Sequence, residues 1–157
     1  MFFVSYFFLL VIFNGFPLRY TIGSQTNEEE TEMSVKFYKC NVCGNIICKI
    51  EDSGMPLSCC GRQMTELTAC TSEETKAKHN PIFEYKDGYL KVSIGSNPHP
   101  TEDEHHVQFI VVETSMGIHI KKVDVPHKAI ACFKLCETEY ISAVYSLCSL
   151  HGIFVTQ

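Results

Sequence analysis

Nine cysteines and seven histidines stand out in a chain of 157 residues. Their spacing tells more than their number. Cys40 and Cys43 form a C-x2-C pair followed by Gly44, and after fifteen intervening residues Cys59 and Cys60 stand side by side before Gly61. A two-residue gap lets one tight turn aim two thiolates at a single ion, and glycine permits the backbone angles the turn needs. Four thiolates suit a tetrahedral soft site holding iron or zinc. An odd cysteine count with a vicinal pair fits a simple disulfide framework poorly. Cys48 follows Ile46 and Ile47 as an apolar residue would, and reads as a small hydrophobe.

A second set of ligand types lies further on. His79 in "KHNP", His99 in "NPHP", His105 in "EHH", and Cys148 with His151 in "CSLHG" are four pieces that a fold of short strands can bring together on one metal. Pro98 and Pro100 stiffen the loop around His99. Of the adjacent pair His105 and His106, alternation chooses one. His105 shares a parity with Val107, Phe109 and Val111, the more uniformly apolar set, so His105 is expected inward and His106 outward. His119 and His127 have no motif partner and read as surface or strand histidines. Cys70, Cys132 and Cys136 read as structural or free thiols.

The elements that must position these groups look short and extended. Val35 to Cys40 alternates roughly as a short strand does. After residue 70, "KVSIG", "HHVQFIVVE" and "GIHIKKVDV" alternate or are rich in β-branched residues, with Gly, Pro and Asp between them. No sustained helical period is seen there, so an all-β sandwich is expected. The chain divides into a hydrophobic extension with an acidic linker (1–33), a small four-cysteine domain (34–69) and the β-sandwich (70–157). With 45% apolar residues it should fold, and a formal charge of −5 argues against nucleic acid as a partner.

Residues 2–13, "FFVSYFFLLVIF", stand apart. The run is shorter than the ~20 residues of a membrane span. No Lys or Arg precedes it, and Arg19 follows it, which is the wrong side for an ordinary export signal. Export signal, membrane anchor and an extension upstream of the true start at Met33 all remain open. Free thiolates favour a reducing, cytoplasmic setting over an exported or membrane-anchored one.

Residues 33–157 resemble desulfoferrodoxin, the two-iron superoxide reductase family. "YKCNVCG" and "CCGRQM" resemble its desulforedoxin-like, rubredoxin-type first domain. "KHNP", "VSIGSNPHP", the step to His105 and "CSLHG" resemble its immunoglobulin-like reductase domain. The resemblance implies a rubredoxin-like iron on Cys40, Cys43, Cys59 and Cys60. It implies a second iron with His79, His99, His105 and His151 equatorial and Cys148 axial. It further implies one-electron reduction of superoxide to peroxide, Lys78 as the charged residue beside the site, a homodimer and a rubredoxin-type electron donor. Ala77 stands where the family often has a glutamate, with Glu73 and Glu74 upstream of the matching position. His106 and Thr101 also replace residues that the family usually has as an aromatic and a methionine. Two other readings fit the ligand types: an iron electron carrier without turnover, and a zinc-binding structural module.

Overall fold

The computed structural model describes residues 35–157; the extension and linker read from residues 1–33 lie outside the described residues. The chain begins with a small sheet. Strands β1 (Lys36–Lys39) and β2 (Ile46–Lys49) pair antiparallel. A hairpin of β3 (Ser58–Cys59) and β4 (Arg62–Gln63) follows, and β5 (Thr65–Leu67) returns to the other side of β1. After the short helix α1 (Glu73–His79) come seven strands in two sheets. One sheet has the order β10-β7-β6, made of β6 (Pro81–Lys86), β7 (Tyr89–Ile94) and β10 (Ile130–Lys134). The other has the order β12-β11-β8-β9, made of β8 (Val107–Thr114), β9 (Gly117–Lys122), β11 (Ile141–Cys148) and β12 (Gly152–Thr156). Three strands facing four is the immunoglobulin-like sandwich expected from the sequence. Among the described residues, no helix is long and apolar enough to cross a membrane.

Alternation builds the sandwich core. Leu90, Val92 and Ile94 of β7 point inward, as do Ala131 and Phe133 of β10, and they meet Ile110, Val112 and Val144 of the opposite sheet. Strand β11 is different, being buried along nearly its whole length. Val144 faces the sandwich interior, while Tyr145 and Leu147 face the small sheet, which covers the outer side. There Val35 and Phe37 pack on Val111, Ala143, Tyr145 and Ile153. The rings of Phe37 and Tyr145 meet edge to face at 5.5 Å. Burying an aromatic side chain of this kind contributes on the order of 1.5–3 kcal/mol. Tyr145 keeps its polar end satisfied by donating to the Glu113 carboxylate at 2.6 Å. The connecting chain is pinned as well: Ala69 bridges Ile153, and the Cys70 N–H donates to the Ile153 carbonyl at 2.8 Å.

Two details differ from the sequence reading. The stretch after residue 70 is not wholly extended, because Glu73–His79 is helical. Seven residues give barely two turns, too few for a visible period. The signs that were present are electrostatic: Glu73 and Glu74 in the first turn, Lys76 and Lys78 in the last, which suits the helix dipole. The second difference concerns parity around His105. Strand β8 begins only at Val107, and its pairing with β11 slips between Leu147 and Cys148, so that Val107 opposes Cys148 while Phe109 opposes Leu147. Val107 therefore joins Ile110 and Val112 in the sandwich core, and Phe109 joins Val111 under the small sheet. An irregularity of this kind breaks the period of two. Both faces of β8 are apolar because both are covered. His105 does turn toward the other histidines, but from a loop and not through the strand parity first assigned to it.

Candidate metal centres

The four-cysteine group forms where two tight turns face each other. The first follows β1: the Cys40 N–H donates to the Asn45 carbonyl at 2.8 Å, and the Gly44 N–H returns to the Cys40 carbonyl at 2.9 Å, with Gly44 at φ 78°. The second is the two-residue turn of the β3–β4 hairpin. Cys60 and Gly61 both have positive φ, 52° and 71°, as a type I′ turn requires. A non-glycine residue in that region costs roughly 1–2 kcal/mol. The strain lets neighbouring cysteines turn their sulfurs to one point.

The sulfur geometry tests whether a metal fits. A tetrahedral ion with ligands at about 2.3 Å sets its sulfurs about 3.8 Å apart. Here Cys43 and Cys59 lie 3.6 Å apart, and Cys59 and Cys60 3.9 Å. All four sulfurs lie within 4.8 Å of one another. Backbone N–H groups of Cys43 and Val42 hold the Cys40 thiol down to about 6. The Cys43 and Cys59 sulfurs push Cys60 up to about 12, and Cys59 is raised mainly by Cys43 and Cys40. One thiolate forms easily, and Cys59 and Cys60 resist joining it. A cation at the centre removes that conflict.

The histidine group sits at one end of the sandwich, where three segments meet. His79 closes α1, His99 and His105 belong to the β7–β8 loop, and Cys148 and His151 flank the β11–β12 turn. Ser149 ties two of these segments together: its hydroxyl donates to the Glu104 carbonyl at 3.1 Å and accepts the His106 N–H at 3.1 Å. The four rings run around a closed square. Neighbouring centroids lie 4.6 Å (His79–His99), 4.8 Å (His99–His105), 4.8 Å (His105–His151) and 4.7 Å (His151–His79), each pair steeply inclined. His79 and His105 face each other across the diagonal at 5.8 Å.

The nitrogens of these rings are sorted by their partners. His79 Nδ1 donates to the Thr75 carbonyl at 2.7 Å, and His99 Nδ1 to the Pro100 carbonyl at 2.7 Å. Each leaves Nε2 as the lone-pair nitrogen. His79 Nε2 and His151 Nδ1 approach to 3.0 Å, and Cys148 Sγ lies 3.7 Å from His151 Nδ1. Nε2 of His99 and of His105 are buried without a hydrogen-bond partner. Buried polar atoms are rarely left so, and two within one square of rings fit the binding of a cation. Burial lowers the pKa of His79 and His105 and brings His99 down to about 4, with the neighbouring rings adding to the effect. Near neutrality these imidazoles are uncharged and free to ligate.

His79, His105, Cys148 and His151 have their donor atoms within 4.8 Å of one another. His99 falls outside that tight set although its ring occupies the fourth corner, diagonal to His151. His106 is absent from the group; its Nδ1 is bonded to the Glu102 carbonyl at 3.1 Å. His119 pairs with Glu139 at 2.5 Å and His127 caps a turn at Asp124. Cys70, Cys132 and Cys136 are free thiols outside both groups, and Cys48 is a half-buried residue packed beneath Phe37's cluster. Three supporting residues escaped the sequence reading: Thr75, Ser146 and Phe154. Ser146 carried little mark in the sequence, sharing its parity in "ISAVYSLC" with Ser142, Val144 and Cys148; its hydroxyl donates to the His79 carbonyl at 2.6 Å. Phe154, wholly buried, stacks on the His79 ring at 4.5 Å and 16°.

A four-thiolate module docked on a β-sandwich that ends in a square of imidazoles over a cysteine defines a metalloprotein with two distinct centres. A family model for desulfoferrodoxin matches residues 71–157, and one for the desulfoferrodoxin N-terminal domain matches residues 32–67. The chain belongs to the desulfoferrodoxin family. It is 31% identical to a desulfoferrodoxin homolog of Archaeoglobus fulgidus over 76% of this chain and 94% of that protein. It is 35% identical to the desulfoferrodoxin of Nitratidesulfovibrio vulgaris over 74% and 91%. The fold matches a superoxide reductase from Treponema pallidum with a TM-score of 0.68 at 22% identity, covering 78% of this chain and 97% of that one. The two ligand groups are consistent with the two iron centres of the family.

Proposed function

We propose that this protein is a superoxide reductase: superoxide takes one electron and two protons and leaves as hydrogen peroxide. The observation that carries the reading is the imidazole square with two buried, unpartnered Nε2 atoms and the Cys148 thiol beside it. His79, His99, His105, His151 and Cys148 would hold an iron ion, which would supply the electron when bound. The chain's own groups set the conditions. Neutral imidazoles hold a ferrous ion without adding charge, which keeps one-electron chemistry within reach. Cys148 is buried beside the rings, and as a thiolate it would donate electron density to a bound ion. Lys78 is exposed one residue before His79, and its ammonium would draw an anion toward the ring group.

The four-cysteine iron serves as a second redox centre or a structural one. A rubredoxin-type donor and a homodimer complete this reading, with superoxide as the substrate. None of the nine cysteines is in a disulfide, and a cytoplasmic setting goes with this reading. The small domain at 34–69 and the sandwich at 70–157 would each carry one centre.

Metal analysis with visible spectra of oxidised and reduced protein, followed by mixing with superoxide, tests the proposal. Two irons per chain and superoxide consumption by the reduced form are expected. Zinc alone would give a colourless, inactive protein. Iron bands without superoxide consumption would leave an electron carrier. Either result overturns the proposal.

A further inference from the structure

We infer that the last turn of α1 is clamped between Gly95 and Ser146, and that this clamp sets the position of Lys78 and His79 relative to His99 and Cys148. The inference rests on the metal reading above. Gly95 directly follows β7, with φ at 77°. A Cβ placed there would lie 2.6 Å from the Lys78 carbonyl oxygen and 2.6 Å from that of Asn97. Both are backbone atoms, so no side-chain rotation relieves the collision. Hydrogen bonds close the same crossing. The Gly95 N–H donates to the Asn80 carbonyl at 2.9 Å, and the Asn97 N–H and Ser96 hydroxyl both donate to the Ala77 carbonyl, at 3.2 and 3.1 Å. The segment carrying Lys78 and His79 thus meets the loop carrying His99 backbone against backbone, with nothing but the glycine hydrogen between them.

Ser146 holds the other side. It is 1% exposed, donates to the His79 carbonyl at 2.6 Å, and shares a strand face with Cys148 two residues on. One helix end is therefore referenced both to the His99 loop and to the cysteine strand. Ordinary contact for a Cβ begins near 3.4 Å, so a side chain at 95 would part the two segments by about 0.8 Å. A preorganised site tolerates about 0.5 Å. Gly95 and Ser146 are positioning residues for the ligand square.

Gly88 supplies the control. Its φ is 80°, yet a Cβ there meets nothing within 4 Å. Gly88→Ala carries the backbone strain without the collision. The full chain is loaded anaerobically with ferrous iron, challenged with a chelator, then oxidised and its visible bands recorded. Gly95→Ala is expected to weaken iron retention at the histidine–cysteine centre by about 10–100-fold and to shift its ferric band. The four-cysteine band should stay, and Gly88→Ala should leave both centres as in wild type. Ser146→Ala, which introduces no strain, should move the same affinity and band in the same direction. Equal behaviour of Gly95→Ala and Gly88→Ala overturns the inference. Should Gly95→Ala fail to fold, Ser146→Ala decides: wild-type affinity and band there overturn it. Wild-type protein that takes no iron at this centre brings down the metal reading itself, and the inference with it.

Discussion

Reversing the charge at Lys78 is the most informative perturbation of substrate capture. The residue is exposed at the C-terminal turn of α1, and it adds to burial and the neighbouring rings in lowering the pKa of both His79 and His105. Because Lys78 faces water, the effective dielectric is close to that of the solvent. An ammonium ~6 Å from an incoming anion then contributes about 0.7 kcal/mol, and reversal to a carboxylate changes the interaction by about 1.4 kcal/mol. That amounts to roughly a tenfold change in rate at low salt. Rapid mixing or pulse radiolysis of the reduced protein measures the second-order constant for superoxide. Lys78→Glu should be slower by about that factor in dilute buffer. The gap should narrow at ~0.5 M salt, where the Debye length drops below the separation. Lys78→Arg should stay near wild type. Equal rates for wild type and Lys78→Glu at low salt would refute the steering argument.

Three further outcomes follow from other parts of the molecule. Cys40→Ser should abolish the visible bands of the four-cysteine centre and spare superoxide consumption, since the two modules meet through Phe37 and Tyr145 and not through Cys40; lost consumption with the second iron still bound would contradict this. Ala77→Glu should shift the ferric band of the histidine–cysteine centre and leave the first encounter with superoxide nearly unchanged. Glu73, one turn earlier, is held by Lys76 at 2.5 Å, so a carboxylate signature already present in wild type and lost on mutating Glu73 or Glu74 would contradict an open resting site. Glu139 is held down to about 2 by His119 first, then by the Thr114 hydroxyl and the Cys136 N–H. A depressed carboxylate stabilises the fold above its ordinary value near 4.5, and that contribution is lost as pH falls from there toward 2. Melting temperatures of Glu139→Gln should fall less steeply than wild type across that window, and parallel curves would rule the pair out as an acid latch.

The cysteine turns were legible because their chemistry is local. C-x2-C with Gly44, and vicinal cysteines before Gly61, each specify a turn within a few residues. The histidine square was legible as a set of ligand types, though its geometry was not. His105 was chosen by a parity that the irregularity at Val107–Phe109 breaks, and it faces the other rings from a loop instead. Helix α1 was missed because two turns show no period, even though its charges follow the dipole. The contact between modules lay beyond reach: Phe37 meets Tyr145, and Ala69 meets Ile153, across long stretches of chain. Nothing near Phe37 in sequence says that the outer face of β11 must be apolar to receive it. The supports of His79 were hidden for the same reason, since Ser146 and Phe154 reach it only after the sandwich has closed.

Product stoichiometry tests the central claim most directly. Reduced, iron-loaded protein is mixed anaerobically with a known amount of superoxide, and peroxide and dioxygen are both measured. Reduction at the histidine–cysteine centre predicts one peroxide for each superoxide consumed, one electron lost by the protein each time, and no dioxygen released. Half as much peroxide accompanied by dioxygen would mean dismutation, and no consumption at all would mean that the square of imidazoles does not reduce superoxide.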